Sequence, residues 1–461
     1  MSFLVVLGAL VLLMFVAYRG YSVIMFAPVA AMLAVFFTDP AQVLPMFSGV
    51  FMEKLVGFVK LYFPVFMLGA IFGKVIELSG FSKSIVSSVI RFVGQKRAML
   101  SIVLVCAILT YGGVSLFVVV FAVYPFAAEM FRQGNIPKRL IPGTIALGAF
   151  TFTMDSLPGT PQIQNIIPTT FFNTDTYAAP WLGILGSVFI LIAGLTYLDW
   201  RRRHAAARGE GYGTDLVNEP EPFEEQKLAN PWIAILPLIV VGVLNKVFTT
   251  WIPKVYGATI TVPIPGHPIT IQTGSVSAIW AVESALLVGI LTVLAFAFRP
   301  VMAKFADGTK AAVAGALLAS MNTASEYGFG GVIAALPGFT VVADALKAIP
   351  NPLVNEAVTV TALAGITGSA SGGLSIALAA MSDTFIQAAN AANIPLEVLH
   401  RIASMASGGM DTLPHNGAVI TLLAVTGLTH RKSYADIFAV TLVKTAAVFV
   451  AIGFYYLTGI Y

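Results

Sequence analysis

Two short stretches of this chain, Met154-Asp155-Ser156-Leu157-Pro158-Gly159 and Met410-Asp411-Thr412-Leu413-Pro414-His415, interrupt apolar runs in nearly the same way. Each puts a carboxylate, a hydroxyl and a proline into sequence that would otherwise continue as helix. Proline removes a backbone donor and clashes with the preceding turn. The surrounding chain is 57% hydrophobic and 10% charged, with a mean hydropathy of +0.87. A soluble domain carries about 25% charged residues, so both breaks lie in a membrane-embedded chain. At membrane depth, broken backbone is tolerated only where it lines a cavity or is buried in protein. Matched breaks in two halves of one chain point to a solute site near the middle of the bilayer.

Spanning segments are expected at 2–18, 21–37, 57–78, 181–198, 231–248, 276–297, 319–336 and 436–459. Each approaches the ~20 apolar residues that cross ~30 Å of hydrocarbon. The first run lacks a basic leader and a small-residue cleavage site, so it is expected to stay as a helix. A single cysteine, Cys106, excludes an internal disulfide, and the chain lacks the ligands for zinc or iron–sulfur chemistry. The segment 199–230, with Arg201-Arg202-Arg203-His204 and later Glu219, Glu221, Glu224 and Glu225, is expected to be a solvated cytoplasmic linker between two halves. The segment 249–275, with Pro253, Pro263, Pro265 and Pro268, is expected to be an exposed loop or small hairpin.

The two halves repeat beyond the breaks. Gly80-Phe81 answers Gly338-Phe339, Gly112-Gly113-Val114-Ser115 answers Gly372-Gly373-Leu374-Ser375, and Asn135-Ile136-Pro137 answers Asn393-Ile394-Pro395. Gly113 lies 42 residues before Asp155, and Gly373 lies 38 before Asp411. Lys96-Arg97 and Lys138-Arg139 flank the first Gly-Gly region, while the matching flanks of the second carry no basic pair. By the positive-inside rule the halves run oppositely through the membrane, with both termini outside. The expected fold is thus an all-α polytopic membrane protein of two inverted-topology repeats. Each repeat has a re-entrant helical hairpin, with tips at Gly112-Gly113 and Gly372-Gly373, and a broken transmembrane helix, 140–172 or 397–428. A 14-residue arm such as 98–111 reaches ~20 Å, past mid-membrane but not across. The divisions expected are scaffold helices 1–97, transport elements 98–175, a scaffold helix 176–198, the linker 199–230, scaffold 231–355, transport elements 356–430 and a C-terminal helix 431–461.

The candidate solute ligands are Gly112, Gly113, Ser115, Ser156, Thr160, Gln162, Asn165, Ser369, Ser371, Gly372, Gly373, Ser375, Thr412, His415 and Asn416. Hydroxyls, amides and glycine backbone at this density suit a small oxygen-rich anion. Helices starting just after the Gly-Gly pairs would aim free N–H groups at its carboxylate. Equally, such hydroxyls often bond backbone carbonyls, glycine pairs allow close helix packing, and Asp155 and Asp411 could cap the resumed half-helices. No Arg or Lys is expected at the motifs, which leaves His415 as the cation there. Candidates to carry a coupling ion are Asp155, Asp411, His415 and Glu326. Glu326 is a lone carboxylate in an apolar run and a functional candidate by default, against a place at a helix end or protomer contact. Glu283 and Asp383 rank below it.

Thr153-Met154-Asp155-Ser156-Leu157-Pro158-Gly159, Gly409-Met410-Asp411-Thr412-Leu413-Pro414-His415-Asn416-Gly417 and the Gly-Gly pairs, in a duplicated chain, resemble the gluconate permease family of the ion transporter superfamily. At the first break the gluconate branch has a Pro-His-Pro-Gly type run. Leu157-Pro158-Gly159-Thr160-Pro161-Gln162 differs from it and is more similar to the branch labelled 3-hydroxybutyrate permeases. The resemblance implies proton symport of a short hydroxy- or ketocarboxylate across a bacterial inner membrane, by a homodimer with an elevator-type transport domain. No cofactor and no nucleic-acid partner are implied. The residues by themselves leave sodium coupling open, and an anion channel as a rival of another class. An intramembrane aspartyl protease is the weakest alternative, because the two motifs match each other rather than a catalytic signature.

Overall fold

The computed structural model describes residues 2–19, 21–94, 97–214, 216–220, 228–339, 341, 349–414 and 416–461. Among these residues the chain is almost wholly helical. The only strands are a short antiparallel pair, β1 (Thr259–Val262) and β2 (Ile269–Gln272).

The helices sort into two packed bodies. The first holds α1 (Ser2–Tyr18), α2 (Val23–Thr38), α3 (Met52–Leu78), α4 (Phe81–Val93), α11 (Pro231–Tyr256), α12 (Thr273–Met302) and α13 (Phe305–Ala335). In it, α13 packs on α2 and α3, and α12 packs on α3 and α11. Helix α3 continues a helical run from Pro40 whose π-helical turn, Met46–Phe51, is crossed by α13 at Gly328. The second body holds two hairpins, two broken helices, α10 (Pro180–Ala207) and α18 (His430–Thr458). The bodies meet chiefly where α13 lies on one hairpin arm, and also where α4 lies on α5, α12 on a resumed half-helix and α1 on α14.

Small residues make the crossings possible, as expected where helices associate without a hydrophobic driving force. On α13, a Cβ at Gly330 would sit 2.9 Å from the Ile376 backbone. On α10, one at Gly183 would sit 2.2 Å from the Ser156 carbonyl oxygen, so this helix runs directly over the first break.

The first hairpin is α5 (Ala98–Tyr111) and α6 (Leu116–Gln133), joined at Gly112–Ser115, with Gly113 at φ +95°. This is the expected tip. The second, α14 (Pro352–Thr367) and α15 (Ala370–Ala391), turns at Gly368 (φ +64°) and Ser369, and not at Gly372-Gly373 as expected. The left-handed turn after a helix favours glycine, and Gly368 supplies it. Gly372 and Gly373 fall in the first turn of α15. There a Cβ on Gly373 would be 2.2 Å from the Ala364 backbone, so this glycine serves the close approach of the two arms. With the tip at Gly368, 43 residues lead to Asp411, against 42 in the first half. Asn135 and Asn393 also adopt matching left-handed φ (48° and 53°), and the next amides bond back to Phe131 and Ala389. Each Asn-Ile-Pro thereby closes its hairpin in the same way.

The broken helices are α7 (Ile141–Ala149), α8 (Phe152–Asp155) and α9 (Ile163–Phe172) in the first half, and α16 (Leu396–Ser407) and α17 (Gly417–Thr426) in the second. Three expectations change. The span from 231 stays helical to Tyr256, so only 259–272 forms the hairpin. Segments 176–198 and 431–461, expected as a scaffold helix and a separate C-terminal helix, pack in α10 and α18 against each other and against α7 and α16. The linker is helical to Ala207, and residues 210–214 and 216–219 form a strap against the second body. There Lys138 donates to Val217 O (2.7 Å) and pairs with Glu219, and Tyr124 donates to Asn218 O (2.7 Å). Arg139 bonds Glu210 (2.6 Å) and holds its carboxyl below the usual range.

Gly373→Ala is expected to destabilise the protein by about 1–3 kcal/mol or more through overpacking. Gly453→Ala, where a Cβ meets nothing within 4 Å, should be neutral. Thermal unfolding of the detergent-purified variants checks both; equal melting points would contradict the close crossing.

Candidate substrate and ion site

The residues singled out in the sequence gather in two polar clusters. The first lies inside the second body, where the broken helices cross. The break at Phe150 and Thr151 frees backbone carbonyls, which must find partners away from water. Lys444 of α18 donates to Phe150 O (3.1 Å) and to the Asp411 carboxylate. Arg401 of α16 is fully buried and makes five hydrogen bonds: to Asp155 O (3.1 Å), Asn165 Oδ1 (2.9 Å), Thr176 O (3.3 Å) and twice to Ala178 O (3.0 and 2.8 Å). Ser404 also donates to Asp155 O (2.7 Å). The Asp155 carboxylate accepts from Ser156 Oγ (2.7 Å) and presses on Gly408, where a Cβ would be 2.0 Å from Oδ2.

The other expected ligands of this region are engaged locally. Thr160 donates to Thr153 O (2.7 Å), and Asn165 Nδ2 donates to Thr160 O and Thr176 O. Asn165 Oδ1 also meets His400 Nε2 (3.2 Å). Thr412 bonds Thr441. Asn416 caps α17 by accepting from Ala418 and Val419 amides, and donates to Gly368 O (2.7 Å), tying the second break to the second tip. At the first tip, Gln162 donates to Thr110 O (2.7 Å) and Tyr111 to Pro158 O (2.8 Å). Gly112 and Gly113 pack on Leu238, Leu286, Pro161 and Phe72, and Ser115 precedes α6 without a side-chain cap. His415 lies outside the described residues.

The expectation that no Arg or Lys sits at the breaks is corrected by Arg401 and Lys444. Arg401 lies beside His400 in α16, and Lys444 lies midway along α18, well past Arg431 and Lys432; neither belongs to a repeated motif. A lysine in the apolar run of α18 was the available signal, since ionisable residues within membrane spans are costly and usually functional.

The second cluster lies on the seam between the bodies. Glu326 of α13, 3% exposed, presses on Gly372 of α15, where a Cβ would be 1.8 Å from Oε2. That oxygen has no hydrogen-bond partner among the described residues, nor do the buried hydroxyls of Ser320, Ser325 and Ser375. One turn before Glu326, Thr323 Oγ1 meets Ser371 Oγ (3.1 Å), which in turn lies 3.5 Å from Ser369 Oγ. Next to this strip, the Tyr327 ring lies tilted against Phe58 (5.7 Å) and edge-on to Phe171 (6.2 Å), and Tyr62 of α3 bonds Thr170 of α9 (3.0 Å). Glu356, on α14, is a further buried carboxylate, missed in the sequence, whose oxygens lack partners among the described residues.

No family model matches the chain. It is 60% identical over 474 residues, covering all of both chains, to a Bacillus subtilis (strain 168) protein described as the uncharacterized transporter YxjC. The chain belongs to that transporter family. The fold is also similar to the crystal structure of the Alcanivorax borkumensis YdaH transporter, with a TM-score of 0.54 and 16% identity over 91% of this chain and 90% of that one. A second similar structure, Neisseria gonorrhoeae MtrF, has a TM-score of 0.49 at 15% identity, covering 89% and 86%. By its membership of that family the chain is a membrane transporter and not an enzyme.

In the transporter, Lys444 and Asp411 compensate each other. Lys444→Met leaves a buried unpaired carboxylate and is expected to cost about 3–5 kcal/mol. The double variant Lys444→Met/Asp411→Asn should recover most of that loss in thermal unfolding. Additive losses would contradict the pairing.

Proposed function

We propose that this transporter is a secondary active carrier that takes a small hydroxy- or ketocarboxylate, such as 3-hydroxybutyrate, across a bacterial inner membrane together with protons. The observation that carries the reading is Glu326. It is a buried carboxylate with an unpartnered oxygen, set against a hairpin arm at the seam between the two bodies. A group so placed can take up a proton in one arrangement of the bodies and release it in another. Charged residues at membrane depth mark substrate and proton paths. The resemblance of the break motifs to the gluconate permease family supports the same substrate class.

The ligand set follows from which helix ends are free. Ser369 and Asn416 cap α15 and α17 with their own side chains, whereas α6 and α9 start at Ser115 and Gln162 without side-chain caps. The substrate carboxylate is therefore assigned to the first-half ends. Its hydroxyl or keto oxygen is assigned to Ser371 and Ser375 of α15, which face the seam, with Gly372 and, from across it, Glu326 beside them. The second body moves as an elevator against the first, the protein works as a homodimer, the linker is cytoplasmic and both termini face the periplasm.

Proteoliposomes without sodium should accumulate labelled 3-hydroxybutyrate only under an inward proton gradient. Glu326→Gln should lose that accumulation while keeping substrate exchange, and Ser375→Ala should raise the half-saturating concentration. Accumulation by Glu326→Gln equal to wild type would overturn the assignment.

A further inference from the structure

We propose that the ammonium group of Lys444 is a built-in substitute for a coupling sodium ion, filling a cation site formed where the two broken helices cross. The inference rests on reading the chain as a coupled carrier, and concerns which ion that carrier can use.

The ligands around the Lys444 ammonium are oxygens of the kind that hold a small hard cation. One is Phe150 O, a main-chain carbonyl freed by the first break, and the other is a carboxylate oxygen of Asp411 in the second break. Unwound backbone carbonyls at such breaks coordinate coupling cations in carriers. Here a lysine from a third helix, α18, reaches the same place. It ties the two breaks together as a metal ion would, but through a covalently tethered charge.

The charges close around it. Asp155 and Asp411 each lie in one of the two breaks, and Arg401 and Lys444 donate to those same breaks, so this buried region holds two carboxylates and two cations. Arg401 is held by backbone carbonyls and the Asn165 amide, away from the Asp411 carboxylate. Tyr434, also on α18, donates to Thr412 O and brings no charge. A sodium ion added to this arrangement would bring an uncompensated positive charge into a buried site, and its ligands are already taken. The intact site therefore excludes sodium, while its oxygens would accept sodium once the lysine is removed.

The test reads sodium binding to the purified full-length protein without any organic substrate, so its result is independent of whether 3-hydroxybutyrate is carried. Melting temperature is compared in sodium chloride and in choline chloride at equal ionic strength. Wild type should be indifferent to the exchange. Lys444→Ala should melt lower than wild type in choline and recover several degrees in sodium, and Lys444→Ala/Asp411→Asn should lose that recovery. If the alanine variant does not fold, Lys444→Gln, whose amide can still donate to Phe150 O, takes its place. Saturable sodium-23 binding to wild type, read by magnetic resonance and lost in Asp411→Asn, would overturn the proposal even without a folded variant. A Lys444 variant that ignores sodium would overturn it as well.

Discussion

Everything in the second body depends on satisfying the backbone that the two breaks leave open. A helix interrupted in the membrane exposes carbonyls that lipid cannot bond, and each orphaned group costs several kcal/mol. The chain meets this with buried cations. Arg401 gathers Asp155 O, Thr176 O and Ala178 O, and Lys444 takes Phe150 O. Because these donors come from the opposite half of the chain, the solution holds the two breaks against each other. Asn416 and Gln162 then fasten each hairpin tip to the break of its own half. Hairpins and broken helices are thereby joined into one packed body.

That rigidity gives the seam its meaning. On the far side lie long helices, chiefly α3, α12 and α13, whose contacts with the second body run through glycine, hydroxyl and aromatic side chains. Between helices in a bilayer such contacts are modest in energy, as a sliding surface requires. Glu326 sits on this surface, while Asp155 and Asp411 sit inside the second body. The three carboxylates, equal candidates in the sequence, thus differ in what they can sense. In the proposed elevator Glu326 would change surroundings as the bodies shift, whereas the two aspartates would keep theirs.

The sequence made five of the eight expected spans and the first hairpin legible, because apolar length and left-handed glycine are local properties. Among the described residues only the helices over Pro40–Leu78, Pro180–Ala207, Pro231–Tyr256, Thr273–Met302 and His430–Thr458 are long and apolar enough to cross a membrane. The arm expected at 98–111 is the arm observed; the second break contains its proline, Pro414, whereas the first opens already at Phe150 and Thr151, before Pro158. The second tip was misplaced because a Gly-Gly pair reads alike whether it turns the chain or admits a neighbouring helix. Only the packing of Gly373 on Ala364 separates the two. Arg401 and Lys444 were passed over because their partners lie in other elements, and no spacing rule links Arg401 to Asp155 or Lys444 to Phe150. The strap at 210–214 and 216–219 was hidden for the same reason. Its charges resemble any solvated linker until Lys138 and Arg139 are seen to bind it.

The central claim is that the two bodies move past each other along the seam of α13 and α15. A cysteine pair at Thr323 and Ser371, whose hydroxyls are 3.1 Å apart, tests it directly. The native Cys106 is buried and free, so the introduced pair can be oxidised selectively. Uptake into proteoliposomes should stop when the disulfide forms and return on reduction. Undiminished uptake with the disulfide in place would contradict the claim.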